Sequence, residues 1–274
     1  MRLAAWSASR SAERALALPA ALLVVFLLAP LLGLFTRLSW ADFKAGLESP
    51  LVGPALRLSL CTTSVSLLVN VVLGTPLAYL LSRSRSRLWH GLEVLLELPI
   101  VIPPAVAGVA LLLTFGRRGI LAPLLYPEGF GLTFTSAAVV LAEVFVSAPF
   151  FVRAATSAFR ALNPDLPLVA RSLGASAWRV FFGIALPLCA RGVLVGAALA
   201  WARSLAEFGA TLMFAGNLPG TTQTLPLAIY TAMESDLRVA QALSVLLVGV
   251  AALLLVSMRV GLSVVGAKRL AGSS

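Results

Sequence analysis

The chain has 274 residues, 59% of them hydrophobic and only 12% charged, at a mean hydropathy of +0.97. Soluble domains carry about a quarter charged residues, so this composition excludes a soluble globular protein and describes an all-α polytopic membrane protein. The formal net charge of +10 is divided among short basic clusters between apolar runs; that excludes the continuous basic stripe of a nucleic-acid binder and fits positive charge retained on the cytoplasmic side of a bilayer.

A helix crossing a bilayer needs roughly 20 mainly apolar residues, and the sequence predicts six. The first spans 16–35, with Pro19 near its start and Pro30 as a kink site. Arg2, Arg10 and Arg14 precede it, but the apolar run is too long for a removable secretory signal. The second, 56–81, carries Ser59, Thr62, Thr63, Ser66 and Asn70. Such groups either bond their own backbone and a neighbouring helix or line a polar path. Arg83, Arg85 and Arg87 follow and mark the cytoplasm.

The third span, 92–115, contains Glu93, Glu97 and Pro103-Pro104. Carboxylates at such depth face a bundle interior or a basic partner, and the tandem prolines break the helix locally. An external loop follows with Arg117, Arg118, Pro123, Pro127 and Gly129. The fourth span, 134–152, holds Glu143 and Pro149, and Arg153 and Arg160 return the chain to the cytoplasm. A semi-polar insert, 163–188, comes next, with Asp165, Arg171 and Arg179. In the fifth span, 192–213, Arg203 and Glu207 stand four residues apart on one helical face and neutralise each other. A turn cluster at 216–220 leads to an external segment, and the sixth span, 240–260, is followed by Lys268 and Arg269. With both termini inside, fourteen of the 21 Lys and Arg are cytoplasmic and six external, Arg203 lying within a span. The insert at 163–188 then faces the side that holds ATP.

A catalytic constellation is missing. His90 is the single histidine, Cys61 and Cys189 have no partner at metal-ligand spacing, and no Gly-x-x-x-x-Gly-Lys-Ser/Thr loop is present. The chain is therefore read as a non-enzyme with neither bound metal nor cofactor, and an ATPase driving it would be a separate polypeptide. A secondary transporter stays open as an alternative: the interrupted third span fits one, while the lack of a recognisable repeat between halves does not.

Several motifs add a family resemblance: Gly74-Thr75-Pro76-Leu77-Ala78, Leu98-Pro99 through Pro103-Pro104 to Gly108, and Phe115-Gly116-Arg117-Arg118-Gly119. Further on come Ala170-Arg171-Ser172-Leu173-Gly174-Ala175-Ser176, Ile184-Ala185-Leu186-Pro187, and the run from Glu207-Phe208-Gly209-Ala210-Thr211 through Thr222-Gln223-Thr224-Leu225-Pro226 to Tyr230. Together they resemble the permease of bacterial and archaeal molybdate importers, within the molybdate, tungstate and sulfate branch of ATP-binding-cassette importers. The resemblance implies a type I importer permease fold in the cytoplasmic (inner) membrane, with a coupling helix between spans four and five that docks on the ATPase through Asp165, Ala170, Arg171, Gly174, Ala175, Ile184, Leu186 and Pro187. It implies a working unit of two permease copies in the lipid bilayer, two ATPase subunits that hold ATP and Mg, and an extracytoplasmic oxyanion-binding protein. A sulfate or thiosulfate importer is the nearest alternative.

Two positions depart from the family pattern. Leu168-Val169-Ala170 stands where the family loop begins Glu-Ala-Ala, leaving Asp165 as the nearest acidic substitute, and Ala206 stands where glycine is usual. A dianion crossing low dielectric needs a hydroxyl- and amide-lined route; Thr62, Thr63, Ser66, Asn70, Ser204, Glu207 and Thr211 are the candidates for path or gate.

Overall fold

The computed structural model describes residues 2–84, 86–126 and 131–271, with side chains from Leu16 to Ser257. Arg85, Pro127 and Gly129 lie outside the described residues, as do the side chains of Arg2, Arg10, Arg14, Arg259, Lys268 and Arg269.

The helices are, in order, α1 (Arg2–Thr36), α2 (Trp40–Leu47), α3 (Val52–Arg83), α4 (Arg87–Val101), α5 (Pro104–Phe115), α6 (Ala122–Leu125) and α7 (Ser136–Arg160). Then come α8 (Asp165–Ser172), α9 (Ala177–Val180), a π turn (Phe181–Ala185), α10 (Leu186–Leu205), α11 (Gly209–Ala215), α12 (Leu225–Ser235) and α13 (Leu237–Ala271). Among the described residues, five stretches are long and apolar enough to cross a bilayer: Leu16–Thr36, Val52–Arg83, Ser136–Arg160, Ala177–Leu205 and Leu237–Ser257. A sixth crossing exists only if α4 and α5 are counted together.

Three spans differ most from the sequence expectation, the fourth by running on to Arg160 instead of ending at 152. The segment 92–115 is no straight rod, because α4 and α5 meet at 115°. Pro103 and Pro104 carry no N–H, Ile102 and Pro103 are extended (ψ 136° at each), and the ladder ends at Ile102 N to Leu98 O and resumes at Ala107 N to Pro103 O. The fifth span begins at Ala177, not 192, and stops at Leu205, not 213. Arg179 and Arg191 do not end the helix, since long basic side chains on an exposed face leave backbone bonding intact. Pro187 is accommodated by the wide turn before it, in which Leu186 N bonds Phe181 O; loosening the preceding turn relieves the clash a proline ring makes with the carbonyl four residues back.

Helices α3, α7 and α10 pack along one another. Ala78, Leu81, Phe151, Phe159, Phe181 and Val193 form their common core. At one end of it Tyr79 meets Phe159 and Phe181 edge-on, with ring centroids 5.4 and 4.9 Å apart. A second core joins α5 and α11 to α7 through Ala107, Leu111, Val139, Val146 and Phe214. A third joins the start of α3 to α12 and α13. By contrast, the membrane stretch of α1 is exposed on almost every face.

The α5–α11 contact depends on Gly108. A Cβ there would come 2.6 Å from Met213 Cβ and 2.8 Å from the Ala210 carbonyl oxygen, so backbone would have to move. Gly108→Ala is expected to destabilise the protein by about 1–3 kcal/mol, read as a lower melting temperature in detergent. Gly33→Ala, with nothing within 4 Å of the added methyl, is the control.

Candidate functional site

The insert between α7 and α10 folds as a rigid elbow. The Leu173 N–H bonds the Val169 carbonyl, Gly174 N–H that of Arg171 and Ala175 N–H that of Ala170, each at 3.0 Å. This is the Schellman pattern that closes a helix with a left-handed residue, and Gly174 has φ +86°. Two residues later Ser176 Oγ accepts the Arg179 N–H at 3.3 Å and starts α9. Asn163 Oδ1 accepts the Asp165 N–H at 2.9 Å at the entry to α8. Direction is thus reset within three residues, with backbone groups bonded on both sides.

The elbow shows an unusual amount of apolar surface. Leu173 is 84% exposed and Trp178 72%, while Leu166, Leu168, Val169 and Phe182 are about half exposed. On α8 only Pro167 is buried; it borders a recess shared with Tyr79, Phe159, Arg160 and Leu162. Asp165, Arg171 and Gly174 are exposed, and Ala170 and Ala175 half-buried. Ile184, in the π turn, and Leu186 and Pro187, opening α10, belong to the long helix and not to the loop. The elbow therefore unites five of the eight sequence candidates and leaves three along the helix that follows.

The seven candidates for a path or gate lie in a different setting. Thr62, Thr63, Ser66, Asn70, Ser204, Glu207 and Thr211 are each 3% exposed or less. Most belong to a polar seam between helices. Thr62 and Ser66 donate to the two carboxylate oxygens of Glu143 on α7, at 2.8 and 2.6 Å. One turn along, Asn70 Nδ2 donates to Ser147 Oγ at 2.7 Å, and Ser147 donates to the Glu143 carbonyl at 2.6 Å. Trp201 Nε1 donates to Thr63 Oγ1 at 3.0 Å and brings α10 into the same seam. Asn70 also borders an apolar cavity of about 390 Å³ between α3, α4 and α7. Satisfying Glu143 with hydroxyls ties α3 to α7, because a buried carboxylate without donors would be costly.

Glu207 joins two elements. Its Oε2 lies 2.7 Å from Arg203 Nη2, while its Oε1 accepts the Ala210 N–H at 2.7 Å. The expected Arg203–Glu207 pair therefore forms, but across the break between α10 and α11, where the carboxylate also caps α11.

The run on which the family resemblance rests most is braced internally. Gln223 Nε2 donates to Asn217 Oδ1 at 3.0 Å, Asn217 Nδ2 to Thr231 Oγ1 at 2.9 Å, and Leu218 N to Thr222 Oγ1 at 2.9 Å. Ser59 Oγ accepts the Leu225 N–H at 2.7 Å and fixes this segment to α3. Thr222, Gln223 and Thr224 are at most 3% exposed, so this run shapes the segment and does not present its amides to a ligand.

Sequence reasoning also left two ion pairs unassigned. Arg160 grips Glu93 with two hydrogen bonds of 2.9 and 2.7 Å, and Arg153 Nε lies 3.7 Å from Glu97 Oε1. The signal was there: carboxylates four apart on α4 match arginines seven apart on α7, each pair on one helical face.

Comparison with known proteins agrees with this architecture. Residues 70–268 match the family model described as binding-protein-dependent transport system inner membrane component. The molybdenum transport system permease protein ModB of Mycobacterium tuberculosis is 46% identical over 236 residues, covering 86% of this chain and 89% of its own. The molybdate/tungstate transport system permease protein WtpB of Pyrococcus abyssi is 35% identical over 231 residues, 83% of this chain and 86% of its own. A solved bacterial ABC transporter involved in alginate import shares the fold, with a TM-score of 0.74 at 17% identity, covering 91% of this chain and 94% of that one.

Proposed function

The chain belongs to the family of binding-protein-dependent transport system inner membrane components; it is the permease of an ATP-binding-cassette importer, a transport subunit, and we propose that its cargo is molybdate or tungstate. The cargo reading rests on the relatives that match most of the chain, whose names specify those oxyanions. Family membership sets aside the secondary-transporter alternative.

The working assembly in this reading is two copies of the chain, two ATPase subunits holding ATP and Mg, and an extracytoplasmic oxyanion-binding protein. Both termini lie in the cytoplasm, where the α8–α9 elbow meets the ATPase. The observation that carries the docking role is the exposed apolar surface of that elbow, Leu173 and Trp178 above all, held rigid by the turn at Gly174. Exposed apolar surface rimmed by Asp165, Arg171 and Arg179 marks a protein interaction site. ATP-driven closure of the ATPase pair pulls on the two elbows and alternates access at the interface between the permease copies. In this conformation the hydroxyls of the α3–α7 seam hold helices together and do not line the route.

The test is reconstitution in proteoliposomes with a partner ATPase and an oxyanion-binding protein. Molybdate should accumulate only with ATP, tungstate should compete, and excess sulfate should not. Sulfate accumulation in place of molybdate would overturn the cargo, and uptake without ATP would overturn the drive.

A further inference from the structure

Helix α4 is attached to the bundle in an unusual way. It has no buried residue. Toward Pro99 it stands off α3 and α7, leaving the cavity of about 390 Å³. Near its start Trp89 and Leu96 rest on the first core, and charge fixes its position there: the two-pronged Arg160–Glu93 contact and, one turn on, the longer Arg153–Glu97 contact. The Glu93 side chain is only 21% exposed and Arg160 48%, so the pair is partly withdrawn from water. A bidentate guanidinium–carboxylate contact fixes orientation as well as distance.

The position of this contact gives it leverage. Arg160 is the last residue of α7, and α8 begins at Asp165. Pro167, the buried residue of α8, borders the recess formed with Phe159, Arg160 and Leu162, so a displaced elbow carries the Arg160 neighbourhood with it. At its other end α4 turns through 115° at Ile102–Pro103 into α5. Helix α5 is locked to α11 at Gly108, and α11 is capped by Glu207, the partner of Arg203 on α10. Elbow, α4 and the α5–α11 pair thus form one connected series, in which Glu93–Arg160 is the shorter, two-pronged of the two charge contacts between α7 and α4.

We propose that the Glu93–Arg160 pair is the joint that passes displacement of the docked elbow to α4 and, through α5, to the α5–α11 pair. The proposal rests on the reading that the elbow docks an ATPase. Both residues are positioning residues; neither needs to touch the cargo. A merely structural pair and a joint differ in one respect: loss of the joint separates ATP hydrolysis from uptake.

The experiment uses the complete importer in proteoliposomes and measures molybdate uptake and ATP hydrolysis together. In Glu93→Gln and in Arg160→Gln, uptake per ATP is expected to fall roughly ten-fold while hydrolysis continues. The exchanged variant Glu93→Arg/Arg160→Glu is expected to regain about half or more of the wild-type ratio. Uptake and hydrolysis falling in proportion, or an assembled exchange variant that stays uncoupled, overturns the joint. If the single variants fail to assemble, Glu93→Cys/Arg160→Cys is used, with Cys61 and Cys189 replaced by alanine. Bridging its two thiols with a bifunctional spacer should raise the ratio in the same preparation, and an unchanged or lowered ratio overturns the joint. Failure of the wild-type complex to import any oxyanion counts against the functional reading instead, whereas a working wild type with fully coupled variants counts against the joint alone.

Discussion

Gly174→Asp is expected to reduce ATP-driven uptake at least about ten-fold, with the protein still inserted in the membrane and folded. At φ +86° an aspartate is strained, and the left-handed conformation costs roughly 1–2 kcal/mol per L-residue. Nothing lies within 4 Å of the added Cβ, so the cost falls on the Schellman turn and not on the core. Reopening that turn releases the Gly174 and Ala175 N–H bonds and lets α8 swing away from α9. The carboxylate also enters an apolar contact surface, where its desolvation opposes docking. Co-purification of the ATPase should weaken in step with uptake. Gly174→Asn, a residue that enters the left-handed region more readily and brings no charge, should retain more of both. Wild-type uptake by the aspartate variant would remove the docking assignment.

The second large effect is expected at Glu207. Replacing it with alanine leaves Arg203, whose side chain is 25% exposed, without its carboxylate and leaves the buried Ala210 N–H without an acceptor. Removing one member of a fully buried pair costs about 3–5 kcal/mol; with Arg203 partly in contact with water the loss is expected at the lower end, about 3 kcal/mol, equivalent to a fall in melting temperature of roughly 10 °C in a chain of this size. Intrinsic tryptophan fluorescence in detergent reads the transition. Arg203→Ala/Glu207→Ala should recover part of the loss, because the isolated charge is then gone as well. If the single variant melts with wild type, Glu207 does not tie α10 to α11.

The apolar runs made five crossings legible, and Pro103-Pro104 made the break between α4 and α5 legible, since missing donors act locally. The angle of 115° was not legible, because it is set by where α5 packs on α11. The start of the fifth span was misplaced because hydropathy follows the bilayer whereas backbone bonding continues into water, so Arg179 and Arg191 looked like loop. Spacing alone disclosed the Arg203–Glu207 pairing but not the helix end between them. The hydroxyls of α3 were visible as a polar stripe, and Glu143 as a costly charge in another span. Which way the stripe faced depended on contacts 77 to 81 residues apart in sequence, which no local pattern encodes. For the same reason the anchoring of the 222–225 run on α3 was not legible, since Ser59 Oγ accepts the Leu225 N–H across 166 residues of sequence.

The π turn at Phe181–Ala185 bears on the bearing of the elbow. Its closure from Leu186 N to Phe181 O contains one residue more than an α-helical turn. Each helical residue advances the azimuth by about 100°, so the compass direction of α8 and α9 around the axis of α10 is geared by that one surplus residue. Gly183, with open space around it, sits within this gear. Shortening the turn there would leave every docking side chain in place and point all of them another way.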